Sequence, residues 1–144
     1  VILLDTNILV YATGTQSLQH ARAKELRDQA TAGQFEACIA AQILTEFYAV
    51  VTDGRRFQPA LTPAQARREL RAYLSSSLKL ILPKETTVSR MLNLLGSRWV
   101  KSGGIFDLFL AATMLDNAVH AIYTENVIDF QKIAGIDAIN PFQP

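Results

Sequence analysis

The sequence of 144 residues predicts an α/β protein with a mostly parallel central sheet of four to five strands. Three observations carry this. Short aliphatic runs alternate along the chain with longer segments of helical apolar spacing, the pattern of strand-helix units. The first run, Val1-Ile2-Leu3-Leu4, is wholly aliphatic and reads as a buried strand. It ends on Asp5-Thr6-Asn7, and ligands of open α/β sheets bind beyond the carboxyl ends of strands.

The elements follow in order. Residues 1–4 form the first strand, and a short helical segment covers 8–12. Residues 18–32 read as a helix closed by Gly33, and 35–39 as a second strand. Ile43, Leu44, Phe47, Val50 and Val51 share one helical face, which predicts a helix over 41–51. Residues 53–59, Asp-Gly-Arg-Arg-Phe-Gln-Pro, read as a loop. Thr62 then caps a helix with Pro63 in its first position. A third strand covers 79–82, and a helix 85–97 has an early Glu85 suited to its dipole. Gly103-Gly104 breaks the chain before an apolar helix over 106–118. Residues 121–124 form a fourth strand and 138–139 a fifth. No repeat or linker divides the chain, so residues 1–144 are expected to form a single domain.

Composition excludes several classes. Hydrophobic residues make up 49% and charged residues 19%, which rules out a disordered chain and leaves enough apolar mass for a core. The apolar runs are too short to span a bilayer, and no signal peptide is visible. One cysteine, Cys38, excludes an internal disulfide and reads as a small buried hydrophobe, so a reducing cytoplasm is the default compartment. The net charge of +1 does not mark a nucleic-acid binder. Three basic groups stand out locally: Arg55-Arg56; Arg67, Arg68 and Arg71; and Arg90, Arg98 and Lys101. Each is read equally well as a solvated face or as a contact for a polyanion.

Most acids, such as Glu25, Asp28 and Glu69, have polar neighbours and are expected to face water. Glu46 and Asp107 instead fall within apolar helical stripes, near Ile43 and Val50 and near Leu110, Ala111 and Met114. A buried carboxylate needs a partner, a metal or a raised pKa. Each acid has an ordinary explanation: an Asx-turn at Asp5, an Arg partner for Glu46, a helix cap at Asp107. Convergence accounts for all three at once. An oxygen-only cluster selects hard cations, Mg²⁺ or Mn²⁺, and so suits phosphoryl chemistry. His20 and His120 have no ligand-spaced partners, so zinc is not indicated. Basic loops nearby make a polyanion the natural substrate.

Four features in this order resemble PIN-domain ribonucleases of the VapC toxin type: Leu3-Leu4-Asp5-Thr6-Asn7, the lone Glu46, the run from Gly104 to Ala112 around Asp107, and Tyr123-Thr124-Glu125-Asn126-Val127-Ile128-Asp129-Phe130. The resemblance spans essentially the whole chain. It implies a three-layer α/β/α fold and Mg²⁺-dependent hydrolysis of RNA to a 3′-hydroxyl and a 5′-phosphate, with Mn²⁺ as a substitute. It also implies Asp5 and Asp107 as the principal metal ligands, and Glu46 as a ligand of a second metal or a group orienting the attacking water. Many PIN domains carry a fourth acid where this chain has Asn126, which puts the second metal in doubt. Asn126 is then expected to hydrogen-bond a metal-bound water, and Asp129 to cap a helix beginning at Phe130. Thr6, Asn7 and Thr124 are expected to hold the carboxylates in place. Arg55, Arg56, Arg98 and Lys101 are the candidate RNA contacts, and Trp99 is placed in the core rather than stacked on a base. Such toxins usually dimerise and are blocked by a small antitoxin, here a VapB-like protein.

The alternatives differ in class. A non-catalytic or housekeeping PIN domain would serve as an RNA- or protein-interaction module, but such a module has no need of buried acids. A phosphatase of the haloacid-dehalogenase type needs a second acid two residues after the nucleophile, where this chain has Asn7. Receiver domains place their phosphorylated Asp deeper in the chain behind an acidic pair, a pattern absent here.

Overall fold

The computed structural model describes residues 1–96 and 100–143. Within them the chain forms β1 (Ile2–Leu4), α1 (Thr6–Thr13), α2 (His20–Thr31), β2 (Ala37–Ala40), α3 (Ala41–Val51), α4 (Pro63–Leu74) and β3 (Lys79–Ile81). There follow α5 (Thr87–Leu95), α6 (Gly104–Asp116), β4 (Ala121–Tyr123), α7 (Val127–Phe130) and β5 (Asp137–Ile139). The strands make one sheet in the order β3-β2-β1-β4-β5, with every pairing parallel. The order runs outward from β1 in both directions, so the switch point where such sheets form their crevice lies beside β1.

Parallel sheets survive only with both faces covered, and the helices supply the cover. α1 packs on α2 and α3, α3 on α4, and α5 on α6, completing a three-layer α/β/α architecture. β1 contributes Leu3 and Leu4, both fully buried, and all four residues of β2 are buried. Each Leu or Ile withdrawn from water in this way adds roughly 1.5–3 kcal/mol. Phe47 of α3 meets Tyr73 of α4 edge to face, with ring centroids 5.8 Å apart, and ties the helices flanking the 53–59 loop into the core.

Most expected elements lie where the apolar spacing puts them, and α3 has the expected limits. The Thr62 hydroxyl accepts from the backbone N–H of Gln65, whose side chain accepts from the Thr62 N–H: a capping box with Pro63 behind it. Other boundaries shift. The second strand starts at Ala37, because Phe35 leaves the ladder to pack edge-on against Tyr123. The helix expected from 85 starts at Thr87, whose buried hydroxyl accepts from the Lys84 N–H and donates to Asp116. α6 begins at Gly104, two residues early; a Cβ there would lie 2.6 Å from Val100 Cγ1. The helix expected over 85–97 ends at Leu95, short of 97, with Gly96 turning the chain at φ 44°, and Ser97, Arg98 and Trp99 lie outside the described residues.

One assignment is corrected. Asp129 does not cap a helix beginning at Phe130; it lies inside α7, which begins at Val127. The chain turns three residues earlier because the Thr124 hydroxyl accepts from the Asn126 N–H, and a single helical turn follows at once.

Phe47 is fully buried and central to both helix contacts. Phe47→Ala is expected to cost about 3–5 kcal/mol in urea unfolding. A loss under 1 kcal/mol would show that α3 and α4 do not depend on this contact.

Candidate active site

The site is built from the ends of the two central strands. β1 and β4 pair in register with Leu4 opposite Tyr123, and the ladder continues one step, the Asp5 N–H donating to the Tyr123 carbonyl at 3.1 Å. Asp5 and Thr124 therefore lie side by side just past the carboxyl ends of their strands. The Thr124 hydroxyl donates to Asp5 Oδ2 at 2.6 Å and Asn7 Nδ2 donates to the same oxygen at 3.2 Å. Oδ1 accepts from the Thr6 N–H at 2.7 Å, which makes Asp5 the N-cap of α1. Asp5 thus caps α1 and joins the cluster in one conformation, with its cap bond to the next residue and not to the one after, as an Asx-turn would require. With only 9% of its surface exposed, Asp5 has its pKa raised above the ordinary 3.8 by desolvation, against the opposing pull of its hydrogen bonds.

Glu46 comes from the middle of α3. Thr6 Oγ1 donates to its Oε2 at 2.8 Å, and Gln42 Nε2, one turn earlier, donates to Oε1 at 2.9 Å. Thr6 thus touches two acids, through its backbone to Asp5 and through its side chain to Glu46. Gln42 Nε2 also donates to the Phe106 carbonyl at 3.0 Å and so joins α3 to the start of α6. Gln42 was missed by the sequence reading. Its only signal is the i,i+4 Gln–Glu spacing, which is common on helix surfaces.

Asp107 sits in the first turn of α6, half-buried, and accepts from Asn126 Nδ2 at 3.1 Å. Asn126 therefore holds Asp107 through its side chain and is itself held through its backbone by Thr124. Burial pushes the Asp107 carboxyl up to about 6, with further push from the charges of Asp5, Asp129 and Glu46. Among the described residues none of Asp5, Glu46 and Asp107 has a Lys or Arg partner, so the expected alternative of an Arg beside Glu46 does not occur there. The three repel one another and are held by neutral donors.

The remaining candidates are spread more widely. Asp129 lines a cavity with Asp107 and lies 3.9 Å from Lys132, and Lys101 lines the same cavity. Arg55 and Arg56 pair with Asp53 at 3.4 and 3.5 Å, in the loop whose Phe57 abuts Gly14 at the far end of α1 from Asp5. At 1.5 Å per residue, the eight residues of α1 separate that loop from Asp5 by about 12 Å. His20 Nδ1 meets the Tyr11 carbonyl, His120 Nδ1 meets the Gly135 carbonyl, and neither joins the acids. Cys38 is buried in β2, and burial pushes its thiol up to about 12.

The donor set fits a divalent cation. It is all oxygen, and the acids' mutual repulsion is the feature a 2+ charge relieves. Among the described residues no three Asp, Glu, His or Cys side chains are gathered tightly enough to enclose an ion alone. That is compatible with Mg²⁺, which keeps several waters and takes one or two carboxylates. It is less suited to a tight protein cage.

The raised value of Asp107 sets a pH dependence for the metal-free protein. Between the ordinary 3.8 and about 6, the folded protein holds a proton that the unfolded chain has released. The stability contributed by this group is present below 3.8 and lost as pH rises through 6. Asp107→Asn keeps the shape and removes the charge. In thermal melts without metal it should gain about 1 kcal/mol at neutral pH, allowing for solvation of the half-exposed side chain, and nothing in acid. A variant less stable than the parent at neutral pH would contradict this.

The PIN-domain family model matches residues 2–136. Among solved structures, the chain is similar to VapBC2 from Rickettsia felis bound to a promoter DNA fragment, with 22% identity, TM-score 0.66 and coverage of 96% of this chain and 97% of that one. It is similar also to the sarcin-ricin-loop-cleaving toxin VapC20 from Mycobacterium tuberculosis, with 14% identity, TM-score 0.69 and coverage of 94% and 98%. A third is DNA-bound VapBC from Salmonella typhimurium, with 16% identity, TM-score 0.68 and 97% of each chain covered. No curated protein matches the chain. At these identities the solved structures speak for the fold, and the family model covers nearly the whole sequence: the chain belongs to the PIN-domain family.

Proposed function

We propose that this PIN domain is a metal-dependent endoribonuclease and the toxin of a VapBC-type toxin–antitoxin pair. The observation that carries the reading is the trio Asp5, Glu46 and Asp107: inward-facing acids with no cationic partner among the described residues, oriented only by Thr6, Asn7, Gln42, Thr124 and Asn126. Holding charges together in this way lowers stability, and such destabilisation is characteristic of functional sites. Similarity to VapC20, a toxin that cleaves the sarcin-ricin loop, supports RNA as the substrate. The VapBC complexes among the similar structures support a VapB-like antitoxin partner.

Asp5 and Asp107 would be the principal ligands of Mg²⁺ or Mn²⁺, with Glu46 beside them. Such an ion supplies Lewis-acid charge for the phosphoryl oxygens and lowers the pKa of water. The chain's own residues set the geometry. Thr124, Asn7 and the Thr6 N–H fix both oxygens of Asp5, and Asn126 fixes Asp107. Glu46, steadied by Thr6 and Gln42, orients the attacking water and accepts its proton. Water adds at phosphorus, the bond to O3′ breaks, and O3′ takes up a proton, leaving a 3′-hydroxyl and a 5′-phosphate. No helix among the described residues is long and apolar enough to cross a membrane. A cytoplasmic, homodimeric toxin is part of this proposal.

Asp5→Asn is expected to abolish cleavage of RNA in MgCl₂ while leaving folding intact by circular dichroism, and EDTA should do the same to the parent. Cleavage by Asp5→Asn at the parental rate would make Asp5 structural and end the metal assignment. A pure parent protein that cuts no RNA and binds no divalent ion would end the nuclease reading. Mapping cleavage ends after induced expression identifies the target RNA.

A further inference from the structure

Asp107 stands at the edge of a cavity of about 460 Å³ formed where α6 begins and α7 ends. This is within the range of about 300–1,000 Å³ typical of small-molecule sites. Its walls divide chemically. Val100, Leu108 and Ile133 give an apolar side, Lys101 and Lys132 give two ammonium groups, and Asp107 and Asp129 give two carboxylates. Ile133 is buried, whereas both lysines are exposed. Among the described residues Lys132 meets only Asp129 in an ion pair, at 3.9 Å with both side chains more than half exposed. Such a pair is worth at most about 1 kcal/mol and exchanges readily for a stronger anion.

The geometry points to this cavity as a nucleotide subsite next to the cleaved bond, with Lys101 and Lys132 clamping the flanking phosphate and the apolar wall carrying its base. The inference rests on the nuclease reading and adds to it the place where the strand lies beside the cleaved bond. An RNA strand whose scissile phosphate lies at Asp5 and Asp107 continues along α6 into this cavity, since Asp107 belongs to both. Carboxylates alone repel the rest of the backbone. The lysines supply the opposing charge in the same cavity, and among the described residues neither forms an ion pair with Asp107. An unpaired base needs only a face to lie against, and Val100, Leu108 and Ile133 offer one without selecting a base by hydrogen bonds. Lys132, which the sequence does not distinguish from any surface lysine, is thereby a positioning residue.

The test is RNA affinity, measured so that it does not depend on turnover. A fluorescent single-stranded RNA of mixed sequence is titrated against Asp5→Asn protein over a range of NaCl concentrations. Lys101→Gln or Lys132→Gln introduced into that protein should each weaken binding about fivefold. Each should reduce the slope of log affinity against log salt by about 0.7, the value for one phosphate contact on a single strand. Lys132→Arg should restore both readings, because charge and not fold is at issue. Unchanged affinity and slope in the double Gln variant overturn the subsite, as does the absence of RNA binding. Failure of the nuclease reading is seen separately, as a parent protein that cuts no RNA.

Discussion

The hydrogen bond from the Thr124 hydroxyl to Asp5 is the interaction on which the rest of the site depends. It joins the ends of the two central strands, and it holds a carboxylate where water is nearly excluded. The same hydroxyl accepts from the Asn126 N–H, and Asn126 in turn holds Asp107. One threonine thus links β1, β4 and the α6 terminus. The parallel register between β1 and β4 makes this possible, because opposing strand ends finish level with each other.

The cost of the arrangement appears in the titration of its acids. Desolvation raises Asp5, and desolvation with the neighbouring charges raises Asp107. Elsewhere the protein treats an acid between two helices differently. Asp116, the link between α5 and α6, accepts from Thr87 and Thr86 and pairs with Arg90, and the Thr87 hydroxyl bond leads in holding its carboxyl below the ordinary range. Asp116 therefore has a cation beside it, whereas Asp5, Glu46 and Asp107 have none among the described residues. That contrast separates a stabilising ion pair from a cluster whose repulsion the proposed cation would relieve.

Much of this was legible in the sequence where the signal was long or chemically abrupt. The aliphatic run ending at Asp5 marks β1, and five apolar residues at helical spacing give the limits of α3. Glu46 and Asp107 stand out because a charge in an apolar stripe violates the periodicity around it. The illegible parts are short or act through geometry. α7 is four residues long and shows no period, so Asp129 was placed at its start when it lies inside. Gln42 matters only because its amide reaches both Glu46 and the Phe106 carbonyl, 64 residues away in sequence. Asn126 was expected to touch a water, and in the structure its amide donates to Asp107; replacing an acid there adds a donor and removes a fourth repelling charge.

The proposed role of the three mutually repelling acids is to take up a divalent cation. The most direct measurement is thermal stability against Mn²⁺ concentration at neutral pH, with bound Mn²⁺ counted by electron paramagnetic resonance. The account predicts a rise in melting temperature with log Mn²⁺, equivalent to about 2.7 kcal/mol at a hundredfold excess over the dissociation constant. It predicts that Asp107→Asn abolishes most of that rise although its metal-free form is the more stable one. A melting temperature unaffected by millimolar Mn²⁺, with no bound ion in the spectrum, would contradict it.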